Sequence, residues 1–342
     1  MTKNRSKQRI QIFLEKKERA KLEEVLEETF FLGYPVFFRS NFMGRLVSLF
    51  EKDMLQLKGM MLMHVNERFI KDHFRNVGGE PEGKQPCNSW VAYLTSSPVI
   101  AMILEGKGAV NKVHDLTSNR EKGQKNGIFW NFGGPTAYSS NTSSLAAEDI
   151  KRWFHEDKEK WLSESSSTDK LIFLRSNGVD GEPVGPWQMA YDLLKKNIFY
   201  ADRSTVVVIK PRAFRERCVG RILSAVEDNS YGLRGLKLVK KADCPRSGGV
   251  WSDSDKSDDC AVAVAVDFLF PLFGETPDIM SIDFESGKYQ IGSDYLYRST
   301  DFWRDIQVFF PYGVTLWTDS TCQCLYGEMF EPSLIGLWEQ TK

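Results

Sequence analysis

The sequence predicts an α/β (α+β) protein built from two ferredoxin-like units, each an antiparallel sheet covered by helices. Two observations predict it. The chain repeats itself: shifted by 176 positions, residues 29–62 fall on residues 205–238 without a gap, and eleven of the 34 positions are identical. Average residue usage gives about two by chance. The identities are Thr29/Thr205, Pro35/Pro211, Phe38/Phe214, Arg39/Arg215, Gly44/Gly220, Arg45/Arg221, Ser48/Ser224, Glu51/Glu227, Leu57/Leu233, Gly59/Gly235 and Leu62/Leu238. An ungapped repeat of this kind implies two copies of one structural unit. The second observation is the order of apolar periods in the first copy: strand, helix, strand, helices, strand, strand, helix.

Taken in order, residues 5–27 mix Lys, Arg and Glu at helical spacing with a partial apolar stripe that includes Ile10, Phe13, Leu14, Leu22 and Leu26. They read as an amphipathic helix that packs on its own domain or docks on a partner. Residues 29–32 are a β-prone run that enters a turn at Pro35. Residues 42–50, FMGRLVSLF, take the helical period, and 59–65 return to an extended apolar run. A helix follows over 66–74, a Gly/Pro-rich loop over 78–88, a helix over 90–94 and a continuous buried strand over 98–104, PVIAMIL. Residues 129–132 make a last weak strand and 144–161 a charged amphipathic helix. Polar, turn-rich stretches at 163–169, SESSSTD, and 178–185, GVDGEPVG, mark the domain boundary. The second copy then diverges after residue 238. Residues 244–259, CPRSGGVWSDSDKSDD, form an acidic, Gly/Ser-rich insertion expected to be a mobile surface loop. Beyond it, a shift of 213 sets Trp303 on Trp90 and Pro311 on Pro98, which leaves much of the second copy's final third missing.

Lys and Arg total 45 against 46 Asp and Glu, so no global field favours nucleic acid or an anionic membrane. No apolar run reaches the ~18 residues of a membrane span, and the polar opening MTKNRSKQR lacks an apolar h-region. A cytosolic compartment is expected. The six cysteines are irregularly spaced and read as thiols rather than a disulfide framework. Cys322-Gln323-Cys324 is too tight for a zinc half-site, so no metal is expected.

In the second copy Ile209-Lys210-Pro211-Arg212-Ala213 leads to Val219-Gly220, and the first copy has Gly33-Tyr34-Pro35-Val36-Phe37 and Met43-Gly44 at the same spacing. The first copy adds Asp72-His73-Phe74, the run from Ser97-Pro98-Val99 through Met102 to Gly106, and a segment ending in Trp153-Phe154. With these motifs in this order both copies resemble nucleoside diphosphate kinases. That family has a Lys-Pro-Asp-Gly turn followed by a helix-opening Gly, a His-Tyr helix, a Gly-Pro-Val-Val-Ala-Met strand and a helix ending in Trp-Phe. The resemblance covers most of residues 28–162 and residues 204–240.

The resemblance implies a ping-pong phosphoryl transfer through a histidine, with cationic groups stabilising charge on the phosphoryl oxygens. It also implies that the site here is degenerate. Counted back from Trp153-Phe154, the nucleophile's position falls on Tyr138, a phenol only about 0.1% ionised at pH 7. The phosphate-binding Lys becomes Tyr34, the helix Tyr becomes Phe74, the clamping Arg positions fall near His114 and Lys125, and the Asn becomes Pro135. Loss of one buried charged contact costs roughly 2–5 kcal/mol, so tight nucleotide binding is expected to go with turnover. The second copy keeps Lys210, a candidate for nucleotide phosphate, but all four histidines lie in the first half. That copy is expected to stop before or within the nucleophile segment. His114 is the alternative phosphate carrier, against the plainer reading as a packing histidine. Arg212, Arg215, Arg217 and Arg221 form a basic cluster that either grips an anion or is a solvated helix start.

The expected organisation is an N-terminal helix over 1–27, a first kinase-like domain over 28–162, a linker over 163–203 and a second, truncated one over 204–342. The expected function is a catalytically inactive structural or scaffolding protein. By resemblance to tandem family members it is placed in a cilium or flagellum with microtubule or axonemal partners, its two copies packed as an intramolecular pseudo-dimer, with no nucleic acid, membrane or cofactor. The alternative is a divergent kinase or nucleotide sensor using Mg and ATP.

Overall fold

The computed structural model describes residues 26–63, 65–76, 88–118, 136–154, 204–229, 231–244, 249–256, 259–268, 280, 292–300 and 302–310. Among them eight strands form one sheet: β1 (Leu26–Gly33), β2 (Gln56–Met63), β3 (Val99–Lys107), β4 (Ala137–Ser139), β5 (Ser204–Ile209), β6 (Tyr231–Lys240), β7 (Cys260–Phe268) and β8 (Leu296–Arg298). Their order is β4-β1-β3-β2-β6-β7-β5-β8, with antiparallel neighbours. The order reads alike from both ends when β5 to β8 are matched to β1 to β4. The two halves meet at Met61 of β2 and Lys237 of β6.

The helices are α1 (Pro35–Arg39), α2 (Met43–Lys52), α3 (Glu67–Asn76), α4 (Asn88–Thr95), α5 (Ala109–Ser118), α6 (Ser143–Trp153), α7 (Pro211–Arg215), α8 (Val219–Asp228), α9 (Gly292–Tyr295) and α10 (Phe302–Phe309). Pro35 and Pro211 open α1 and α7, where a proline's fixed φ and missing N–H cost nothing. The Thr142 side chain caps α6 by accepting from the Leu145 amide at 3.2 Å. β3 through Leu104 and β7 through Val266 are apolar because both faces are covered there. Ile100, Met102 and Leu104 of β3 and Val262, Val264 and Val266 of β7 share one core with α2, α5 and α8. On the other face the halves keep separate cores: Phe30, Leu32, Val99 and Ala101 beneath α3, α4 and α6, and Ala261, Ala263 and Ala265 with Val250, Ile306 and Phe309.

The repeated residues explain themselves at the junction. Helices α2 and α8 touch at backbone distance: a Cβ on Gly44 would stand 2.0 Å from the Ser224 amide nitrogen, and one on Gly220 2.2 Å from that of Ser48. Only glycine fits at either place. The Glu227 carboxylate accepts from the Met43 and Gly44 amides at 3.0 and 2.9 Å, and Glu51 accepts from the Val219 and Gly220 amides, both at 3.0 Å. Each helix thereby caps the other's first turn, where unsatisfied amides and the helix dipole favour a carboxylate. Leu57 and Gly59 in β2, and Leu233 and Gly235 in β6, flank the same register shift.

The structure corrects the reading of the second half. Thr205 faces Val266 as Thr29 faces Leu104, so the partner of the PVIAMIL strand is β7, and the shift of 213 is wrong: residues 302–309 are helix α10. Nor does the second copy stop before the nucleophile segment, because β8 pairs with β5 as β4 pairs with β1. The alternating Ala-Val run of β7 lies beyond the insertion, which is shorter than the α3–α4 connection it replaces and so moves the register the other way. Residues 249–256 of the insertion are packed rather than free: Val250 is buried and Trp251 Nε1 donates to the Cys244 carbonyl at 3.0 Å. In the first half, Leu26 and Glu27 open β1 instead of ending a helix; the rest of the predicted N-terminal helix, the 129–132 strand and the 163–203 linker lie outside the described residues. Helix α5 was not anticipated from the sequence pattern.

Candidate functional site

Four elements of the first half converge at the end of β1. Tyr34 follows β1, and its amide donates to the Thr136 carbonyl at 2.9 Å. β4 sets Tyr138 opposite Leu32, α6 brings Asp149, and α3 brings His73 and Phe74. The Tyr138 hydroxyl donates to Asp149 Oδ2 at 2.7 Å, and the Ser140 hydroxyl donates to the same oxygen at 2.8 Å. Trp153 Nε1 donates to His73 Nδ1 at 3.2 Å, which leaves the imidazole proton on Nε2. Burial, then the nearby Arg152 charge, holds His73 down to about 3, so it is neutral. The Asp149 carboxyl is raised by burial against the pull of its two hydroxyl donors and Arg152.

Aromatic rings fill the space. Tyr138 packs edge-on against His73 and Phe74, with ring centroids 5.1 and 6.0 Å apart, and Tyr34 packs edge-on against Trp90 at 5.1 Å. Burial raises the Tyr138 phenol, and the Asp149 charge raises it further; burial likewise raises Tyr34. Both stay protonated at neutral pH. A protonated phenol bonded to a carboxylate acts as a hydrogen-bond donor, not as a nucleophile.

The predicted site residues divide three ways. Tyr34, Phe74 and Tyr138 come together with Asp149 and His73. His114 is half-buried on α5, which packs with α2 on the sheet face opposite α3, α4 and α6. Lys125 and Pro135 lie outside the described residues. Lys210, where Tyr34 stands in the first half, donates its amide to the Tyr295 carbonyl at 2.8 Å. Burial pushes the Lys210 amine down, while Asp294 and Asp255 act upward. Two members of the basic cluster are matched by the chain's own carboxylates: Arg212 pairs with Glu216 at 2.8 Å and Asp294 at 2.7 Å, and Arg215 with Asp255 at 3.3 Å.

The sequence pattern missed Tyr297. It stands opposite Val208 in β8 as Tyr138 stands opposite Leu32 in β4, and its hydroxyl donates to Asp305 Oδ2 at 2.8 Å. The signal was Tyr-x-Ser, shared by Tyr138-Ser139-Ser140 and Tyr297-Arg298-Ser299, with an aspartate on the next helix. Among the described residues no group of three or more His, Cys, Asp or Glu is placed to hold a metal ion.

A model of the family described as nucleoside diphosphate kinase matches residues 27–158. A nucleoside diphosphate kinase of Clostridium perfringens is 31% identical over 135 residues, covering 92% of that protein and 38% of this chain. Nucleoside diphosphate kinase 1 of Mesembryanthemum crystallinum is 30% identical over 144 residues, covering 95% of it and 40% of this chain. Among solved structures, the nucleoside diphosphate kinase of Aquifex aeolicus aligns with a TM-score of 0.34 at 19% identity, covering 97% of it and 39% of this chain. The antiparallel sheet with its covering helices and this likeness in sequence define a nucleoside diphosphate kinase-type α/β protein. The chain belongs to the nucleoside diphosphate kinase family.

Proposed function

We propose that this chain is a catalytically silent member of its family, with two kinase-like domains paired in one polypeptide as a pseudo-dimer that serves as a structural or scaffolding component. The observation that carries the reading is the Tyr138–Asp149 bond at the position where the family resemblance puts the histidine. A second support is Tyr34 in place of the phosphate-binding lysine: it is 5% exposed and offers no positive charge to a phosphoryl group. The reciprocal Glu51 and Glu227 caps and the shared core favour the paired arrangement. By analogy with tandem family members the scaffold belongs to a cilium or flagellum, with microtubule or axonemal proteins as partners. A tagged copy in ciliated cells, with a deciliated control, tests that address.

The activity test is phosphate transfer from labelled ATP with Mg to the purified full chain and on to a nucleoside diphosphate. The expected result is no label above that of heat-inactivated protein. A stoichiometric acid-labile, base-stable label that disappears in His114→Ala would overturn the reading. Lys210 supports a second one, a nucleotide sensor without turnover. Titration calorimetry giving no heat at millimolar ATP or GDP removes it.

A further inference from the structure

We propose that residues 249–256 are a strap that covers the second half's Tyr297–Asp305 bond and holds β8 and α10 in place, standing where α3 and α4 stand in the first half. The inference is independent of catalysis and stands whether or not the first half transfers phosphate.

The chain between β6 and β7 has to cover the same sheet face that α3 and α4 cover between β2 and β3. Among the described residues it does so with a loop, not with helices. Gly249 sits at φ +85, and a Cβ there would lie 3.0 Å from Tyr297 Cε2, so the strap's backbone lies directly on the tyrosine ring. Val250 is 2% exposed and packs in one cluster with Val206, Val208, Ile306 and Phe309. The sheet surface below is made of Ala261, Ala263 and Ala265, small enough for a loop to approach.

Fastenings hold the strap from two sides. Lys241 Nζ donates to the Ser252 carbonyl at 3.0 Å and the Asp255 carbonyl at 2.7 Å. The Ser252 amide donates to Asp255 Oδ2 at 2.7 Å, and Arg215 on α7 reaches Asp255 Oδ1 at 3.3 Å and Asp259 Oδ2 at 3.8 Å. Asp255 is only 8% exposed. Its carboxylate therefore ties the strap to Arg215 and so to α7.

Hydrogen exchange of the full chain, read peptide by peptide, tests this. Asp255→Asn weakens the fastening at a buried carboxylate, and we expect β8 and α10 amides to exchange about tenfold faster, with β4 and α6 unchanged. Arg215→Gln alters only an exposed side chain, leaves the core intact and is expected to give about a threefold increase at the same peptides. Asp253→Asn, on the strap's exposed side, should match the parent chain. Parent-like exchange in both Asp255→Asn and Arg215→Gln, or equal acceleration in β4 and α6, would overturn the strap.

Discussion

In the first half the Tyr138–Asp149 bond lies beneath two helices among His73, Phe74 and Trp153, whereas in the second half the Tyr297–Asp305 bond lies, among the described residues, beneath a loop on an alanine-lined face. The covers differ in every respect, yet the bond recurs at matched positions with oxygen–oxygen distances of 2.7 and 2.8 Å. What the halves keep in common is therefore a tie between the three-residue edge strand and the following helix. That strand is too short to hold itself by backbone pairing alone. A side-chain bond to a buried carboxylate supplies the missing attachment, and it does so under either cover.

The comparison breaks hardest at the junction the halves share. Gly44→Ala puts a methyl 2.0 Å from the Ser224 amide nitrogen, and Gly220→Ala puts one 2.2 Å from that of Ser48. Backbone cannot move aside as a side chain tip can, so each substitution is expected to cost about 4 kcal/mol. Urea unfolding of both variants checks this, and the two losses should agree to within about 1 kcal/mol if the helices are equivalent. A large loss in one and none in the other would mean that only one half supports the junction.

The tyrosines sharpen the comparison with a smaller effect. Tyr138→Phe leaves Asp149, fully buried, with the Ser140 hydroxyl alone on Oδ2, and about 2 kcal/mol should be lost. Tyr297→Phe leaves Asp305 with Arg304, whose Nε donates to Oδ1 at 2.9 Å, so about 1 kcal/mol is expected. Denaturant melts of the two variants decide the order, and equal or reversed losses would show that the donor left on each carboxylate does not set the strength of the tie.

How far the sequence could be read follows the same division. The identities Gly44/Gly220, Ser48/Ser224 and Glu51/Glu227 were visible as a repeat, and their reason is the α2–α8 junction, where each residue meets its counterpart's neighbours. Residues 98–104 were legible as a strand because a strand covered on both faces is apolar throughout. Tyr34, Phe74 and Tyr138 were picked out by the family resemblance, and the end of β1, helix α3 and β4 bring them together. The second half was not legible because its strands are spaced by what lies between them: the strap is shorter than the helical connection it replaces, so β7 and β8 sit at shifts below 176 and not above it. Tyr297 was hidden by that slip. Asp149 did not stand out by itself, since Glu148 is beside it on α6 and only the fold selects the acid facing inward, whereas Asp305, the one acid of α10, was hidden by the same slip as Tyr297.

Protons separate the junction from the strap. Burial pushes the Glu227 carboxyl up to about 8, more than the Met43 and Gly44 amides pull it down, and Glu51 is raised too. A folded pKa above the unfolded value means that the folded chain binds the proton more tightly. The contribution is then full below the ordinary value of 4.5 and is lost as pH rises through about 8. Asp255 runs the other way. Burial acts upward, but the Ser252 donors and Arg215 outweigh it and hold the carboxyl below its usual value, so its contribution is present above 3.8 and lost as pH falls below it. Melting temperatures across pH should fall on the alkaline side in the parent chain and fall less in Glu227→Gln. Strap protection factors, taken relative to the intrinsic exchange rate at each pH, should fall only in acid. An alkaline slope unchanged in Glu227→Gln would remove Glu227 as its source.

The smallest expected effect is on activity, from restoring the histidine alone. Tyr138→His puts an imidazole beside Asp149, the acid that would orient it, and so supplies nucleophile and carboxylate together. The step still needs positive charge on the phosphoryl oxygens, and Tyr34 provides none while Trp90 packs on its ring. Loss of such a charged contact costs roughly 2–5 kcal/mol, which is about a 30- to 5,000-fold loss in binding or rate. Phosphate transfer by Tyr138→His is therefore expected to stay at the parent's background in a coupled assay. If the variant takes up a stoichiometric acid-labile label from ATP, the aromatic filling around Tyr34 is no barrier, and the first half is one substitution away from an enzyme.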